Sequence, residues 1–209
     1  MSKVIPAILT DDPVKLEKMV RTLEKMADEV HVDFMDGEFV ETISIPPQAL
    51  IACQPKIPVE AHLMVKRPDL FVAPFKETMV QRIIFHVDAV DNSDFLFRLF
   101  RDEGFGVGIA LNPETSLDAF VQHLPEVDFI HFLTVHPGKQ GNPFQEQVLK
   151  KIRSLRESWS LGTISVDGGV NKENIDAVVA AGADRVVVGS TLWQSANPGK
   201  LFEELKRQA

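Results

Sequence analysis

The 209-residue sequence contains no tyrosine, a single cysteine and two tryptophans. The first absence excludes a phenolic acid from any chemistry the chain performs. The second excludes an intrachain disulfide, which agrees with a reducing compartment. Cys53 reads as a small buried hydrophobe. No run of Lys or Arg interrupts a formal net charge of −8, so nucleic acid is a poor partner. The one basic cluster, Lys150, Lys151, Arg153 and Arg156, is spaced as the solvated face of a helix whose other face carries Val148, Leu149, Ile152 and Leu155. No apolar run reaches membrane-spanning length, and residues 1–9 lack a signal-peptide pattern. A cytoplasmic chain folding as one domain over 1–209 is expected.

Short β-branched runs alternate with longer amphipathic stretches from end to end. Strands are expected over 4–9, 29–34, 59–65, 82–87, 106–111, 129–135, 163–167 and 185–188. Helices are expected over 13–26, 48–53, 68–78, 93–102, 116–122, 144–159, 171–181 and 201–207. Thr10, Asp11 and Asp12 supply capping groups for the first helix, whose apolar stripe is Leu16, Met19, Val20 and Leu23. In the fourth, Phe95, Leu96 and Leu99 are expected to pack inward. Eight such units without a linker predict a closed (β/α)8 TIM barrel of parallel strands. In that fold, reactive groups stand at the C-terminal ends of several strands.

Strand residues two apart share a face. His31 and Asp33 therefore both face the barrel mouth, His62 lies near the end of the third strand, and Asp167 ends the seventh. Two imidazoles and two carboxylates at one rim suit a divalent transition metal such as Zn, Fe, Mn or Co. A cation of this kind stabilises the negative charge formed when a proton leaves a carbon beside a carbonyl. Asp33 and Asp167 come from distant strands, as an acid/base pair acting on opposite faces of one carbon requires. Gly168-Gly169 and Gly189-Ser190 follow the last two strands, a common phosphate-binding position in barrels.

Several segments resemble the ribulose-phosphate 3-epimerase family: His31-Val32-Asp33-Phe34-Met35-Asp36-Gly37, Ala61-His62-Leu63-Met64-Val65 and Gly108-Ile109-Ala110-Leu111-Asn112-Pro113. So do Thr134-Val135-His136-Pro137-Gly138, Val166-Asp167-Gly168-Gly169-Val170-Asn171 and Val187-Val188-Gly189-Ser190. The resemblance implies a metal held by His31, Asp33, His62 and Asp167, with Asp33 and Asp167 as the acid/base pair. It implies a phosphorylated ketose contacted by His62, Gly138, Lys139, Gln140, Gly141, Gly168, Gly169, Gly189 and Ser190. The implied reaction interconverts ribulose 5-phosphate and xylulose 5-phosphate through an enediolate, in a homo-oligomer. Met35 and Met64 match methionines that line the family's site.

Departures fall in the substrate-contacting shell. Ala7 stands where the family has serine, Leu133 where it has methionine, and Glu41-Thr42, Pro46 and the loop 138–142 also differ. These changes keep two other readings open: the same chemistry on another ketose phosphate, such as a ketohexose 6-phosphate, and a barrel that binds without turnover. A metal-free barrel isomerase ranks behind both. His131 reads as a hydrogen-bonded core histidine facing the barrel interior, and His86 as a group supporting the site or contacting substrate. His123 and His136 fall in loops, and Trp159 and Trp193 read as packing residues.

Overall fold

In the computed structural model, which describes residues 1–138 and 141–209 (Ala119 without its side chain), eight strands close into one barrel. They are β1 (Lys3–Ile8), β2 (Val30–Met35), β3 (Val59–Met64), β4 (Val80–His86), β5 (Gly106–Leu111), β6 (Phe129–Leu133), β7 (Thr163–Asp167) and β8 (Arg185–Val188). Each pairs in parallel with the next, and β8 pairs with β1. The helices are α1 (Pro13–Leu23), α2 (Pro47–Cys53), α3 (Val72–Phe75), α4 (Ser93–Asp102), α5 (Val148–Ser158), α6 (Ile175–Ala180), α7 (Ser190–Trp193) and α8 (Pro198–Gln208). The expected (β/α)8 TIM barrel is the fold. No helix among the described residues is long and apolar enough to cross a membrane.

Alternation divides every strand between two environments. Outward residues such as Val30, Val32, Phe34, Ile83, Phe85, Ile130 and Phe132 join the helices in the main apolar core. Each such side chain contributes roughly 1.5–3 kcal/mol by leaving water. The inward face is apolar only in patches, Ile5 with Ala7 and Val187, and Ile84 with Ala110 and Phe129. Between these patches and the buried Met35, Met64 and Leu133 at the strand ends stand polar and charged side chains, and they make the site.

The helices differ from expectation where local hydrogen bonding competes with the helix. The segment expected to be helical over 171–181 becomes helical only at Ile175, because Asn171 Oδ1 accepts from Glu173 and Asn174 while Asn174 Oδ1 accepts from Asn171. The helix expected from residue 144 begins at Val148, since Gln145 donates its N–H to the Thr134 carbonyl at the barrel end. The 68–78 segment splits into a 3₁₀ turn (Pro68–Phe71) and α3, where Pro74 lacks the N–H a longer helix needs. The 116–122 segment forms two 3₁₀ turns, Leu117–Ala119 and Val121–Glu126, the second containing Pro125.

In α1, Asp12 caps Val14, Pro13 opens the helix, and Leu16, Met19, Val20 and Leu23 are buried as the spacing predicts. In α4 the phase differs: Phe95 is 53% exposed, and Leu96, Phe97 and Phe100 form the buried face. The basic face of α5 is not merely solvated. Lys151 binds the carbonyls of Pro113 and Thr115, and Arg156 binds those of Gly162 and Gly182 and the Asp184 carboxylate. Cys53 is a buried free thiol.

Candidate active site

The barrel interior carries two charged layers. At the floor, Glu60 of β3 accepts from Arg82 Nε at 3.1 Å and from Arg185 Nη2 at 2.6 Å. Glu29, just before β2, pairs with Lys3 at 2.8 Å, with Arg185 at 3.3 Å and with Arg82. Burial opposes ionisation of Glu60, but His31 and Arg185 outweigh it and hold the carboxyl below its ordinary range. Burial beside Arg185 lowers Arg82 to about 10, which leaves it cationic near neutrality.

The upper layer is the mouth. His31 lies opposite Glu60 across the β2–β3 pair and donates Nδ1–H to Glu60 Oε1 at 3.0 Å. Its Nε2 points upward, 3.3 Å from Asp33 Oδ1 and 4.0 Å from Asp167 Oδ2. Asp33 also accepts from His62 Nδ1 at 2.8 Å, and His62 Nε2 pairs with His86 Nε2 at 2.9 Å. His86 therefore touches the site through His62. His131, opposite Ser165 on β7, pairs through Nδ1 with Ser165 Oγ at 3.0 Å. It is the hydrogen-bonded interior histidine expected, but its Nε2 also reaches 3.7 Å from Asp167 Oδ2.

Electrostatics follow from this packing. Burial disfavours a charged His31, yet hydrogen bonds to Asp33 and Glu60, with Asp167 nearby, push it up to about 10. Burial likewise opposes ionisation of Asp33, but His31 and His62 overcome it and hold the carboxyl below its ordinary range. Asp167 is different. Burial, partly offset by His31 and reinforced by Asp33, pushes it up to about 6.

This pocket draws positive charge, and among the described residues no Lys or Arg is paired with either mouth carboxylate. One ligand atom each from His31, His62, His131 and Asp167 lie within 4.8 Å of one another. The donor set, two imidazole-flanked carboxylates with imidazoles alongside, fits a divalent transition cation.

Loops frame the mouth. Thr134, just after β6, donates its N–H to the Asp167 carbonyl at 2.7 Å and shares its hydroxyl between the carbonyls of Asp167 and Gly168, which fixes the end of β7. Asp36 accepts from Glu38 and Phe39 and from Lys66, tying the loop after β2 to the end of β3. Phe39 then packs on His86 at 4.9 Å, and Thr42 donates to the Gly138 carbonyl across the opening. Gly168 has φ +108°, and a Cβ there would lie 2.6 Å from Val135, so only glycine lets the chain turn beside Asp167.

The resulting pocket is lined by Asp33, His62 and Asp167 together with Ala7, Met35, Met64 and Leu133. Its wall also includes Gly138, Gly141, Gly168, Gly169, Gly189 and Ser190. Lys139 and Gln140 lie outside the described residues. His136, assigned only to a loop, also lines the pocket, and Trp193 does more than pack, donating Nε1–H to the Ala7 carbonyl at 2.7 Å. Glu60, Ser165 and Thr134 were not assigned roles from the sequence. For Glu60 and Ser165 the available signal was strand parity, since each lies two residues before a mouth residue.

Residues 3–193 match the model of the ribulose-phosphate 3 epimerase family. The chain is 33% identical over 214 residues to the ribulose-phosphate 3-epimerase of Bacillus subtilis, covering 99% of both chains. It is 32% identical to the enzyme of that name from Mycobacterium leprae, covering 99% of this chain and 94% of the relative. Among solved structures, a 3-hexulose-6-phosphate synthase from Salmonella typhimurium superposes with a TM-score of 0.74 at 16% identity, over 99% of this chain and 97% of that one. That likeness is one of fold.

Proposed function

The chain belongs to the ribulose-phosphate 3-epimerase family, and from that premise we propose that it interconverts D-ribulose 5-phosphate and D-xylulose 5-phosphate. The reaction moves the proton at C3 through an enediolate. The observation that carries the proposal is the pair Asp33 and Asp167, on β2 and β7, facing one mouth that holds imidazoles and, among the described residues, no paired Lys or Arg.

In the proposed mechanism His31, Asp33, His62 and Asp167 hold a divalent metal. When bound, the metal polarises the ketone and stabilises the oxyanion. Asp33, ionised near neutrality, takes the C3 proton from one face. Asp167 delivers a proton to the other face, and the two exchange roles in the reverse direction. Glu60 orients His31, and Thr134 fixes the backbone of Asp167. The Gly168-Gly169 and Gly189-Ser190 turns receive the phosphate. Met35, Met64, Leu133 and Ala7 bound the sugar. The enzyme works in the cytoplasm as a homo-oligomer, a state to which the exposed Leu70 and Phe95 offer apolar surface.

The test is solvent deuterium incorporation at C3 across a panel of phosphorylated ketoses. Exchange is expected to be fastest with the pentulose 5-phosphates. Ketohexose 6-phosphates belong in the panel because Ala7 removes a hydroxyl from the mouth, and preferential exchange with one of them would reassign the substrate. No exchange with any ketose at any added divalent metal would overturn the proposed function.

A further inference from the structure

We infer that His131 is a third imidazole ligand of the metal, supplementing His31, His62 and the carboxylates and making the site nitrogen-rich. The inference rests on the metal-binding function proposed above.

Three observations converge on His131. Its ring is fully buried, and Nε2 has no hydrogen-bond partner among the described residues. A neutral imidazole has one N–H. Placed on Nδ1, it donates to Ser165 Oγ at 3.0 Å and leaves a lone pair on Nε2; the other tautomer would strand a buried N–H. The ring packs against the cluster, its centroid 5.0–5.3 Å from those of His31 and His62, and one ligand atom each from His31, His62, His131 and Asp167 lie within 4.8 Å of one another. Asp167 Oδ2 lies 3.7 Å from Nε2, too far for a hydrogen bond but suited to share a cation with it.

Ser165 has the place of a ligand-orienting partner, holding the far nitrogen of a ligating histidine. The three rings are thus oriented in different ways. Glu60 holds His31, His86 holds His62, and Ser165 holds His131. An aliphatic residue at 131 would close the same space but supply no lone pair. Imidazole donors suit Zn²⁺ and the later divalent transition metals, whereas Mn²⁺ suits oxygen donors better. The third imidazole therefore tilts the site away from Mn²⁺.

The experiment titrates Zn²⁺, Co²⁺ and Mn²⁺ into the metal-stripped full-length protein against a chromophoric chelator, and records the visible spectrum of the Co²⁺ form. In His131→Leu, Zn²⁺ affinity is expected to fall roughly 10- to 100-fold. Mn²⁺ affinity should fall less, and the Co²⁺ bands should change in position or intensity. Circular dichroism of the metal-free variant checks its fold. Should the leucine variant not fold, Ser165→Ala serves instead, with about a 10-fold loss expected from releasing the ring. Unchanged affinity and an unchanged Co²⁺ spectrum in a folded variant whose parent binds metal would overturn the inference and leave the proposed function standing. Failure of the parent protein itself to bind any of the three metals would overturn both.

Discussion

The floor and the mouth of this barrel solve the same problem differently. Each holds two carboxylates out of bulk water, Glu29 and Glu60 below, Asp33 and the partly exposed Asp167 above. At the floor the opposing charges are those of Arg82, Arg185 and Lys3, and a guanidinium stays charged at any working pH. At the mouth the opposing groups are imidazoles, whose positive charge is a proton that can leave. A floor built on permanent cations is a structural device. A mouth built on removable ones can exchange its proton for a metal, and can pass protons to a substrate. His31 joins the two layers, with one nitrogen on Glu60 and the other among the mouth carboxylates.

The largest effect should come from the chemistry of the mouth. Asp33→Asn and Asp167→Asn are each expected to slow C3 deuterium exchange by about 10²–10⁴-fold while circular dichroism shows an intact fold. Losses below tenfold in both would remove the mouth's special status. The floor should respond in stability instead. Arg185→Met leaves Glu29 and Glu60 short of a buried partner and should cost about 3–5 kcal/mol in urea unfolding. A cost near zero would show that the floor, too, is held by exchangeable interactions.

A third measurement separates the two layers by sign. The folded-state pKa of Asp167, about 6, lies above its unfolded value of 3.8, so its ionisation costs the folded protein stability as pH rises through 6. In the metal-free protein Asp167→Asn should therefore be more stable than the parent at pH 8, by on the order of 3 kcal/mol, with the gain gone below about pH 4. Destabilisation at pH 8 would contradict the burial argument.

The smallest expected effect is that of the metal on unfolding. At a free concentration 100 times its Kd, a divalent metal should add about 2.7 kcal/mol of stability, measured as a rise in the melting temperature. Because the cation must displace the proton on His31, its apparent affinity should climb with pH below about 10. An affinity independent of pH would place the metal away from His31.

Much of this was legible beforehand because it depends on local periods. The eight strands, the inward facing of His31, Asp33, His62 and Asp167, and the Asp12 cap follow from spacing over a few residues. The misjudged helix ends at Asn171 and Gln145 turn on side-chain and long-range hydrogen bonds that spacing does not display. Phe95 is exposed against expectation because α4 carries five apolar residues in close succession, Phe95, Leu96, Phe97, Leu99 and Phe100, and helix phase alone does not choose among them. Lys151 and Arg156 looked like solvated charges because their carbonyl partners lie on other units.

The chain's own order of residues determined that carboxylates and histidines would stand on the inner faces of particular strands, since a strand's alternation is a property of its backbone. Which of them meet was decided by closure. His31 and Glu60 are 29 residues apart, His131 and Ser165 are 34, and Glu60 and Arg185 are 125. Their protonation was decided there as well, because the exclusion of water that raises Asp167 and lowers His131 exists only when all eight strands are in place.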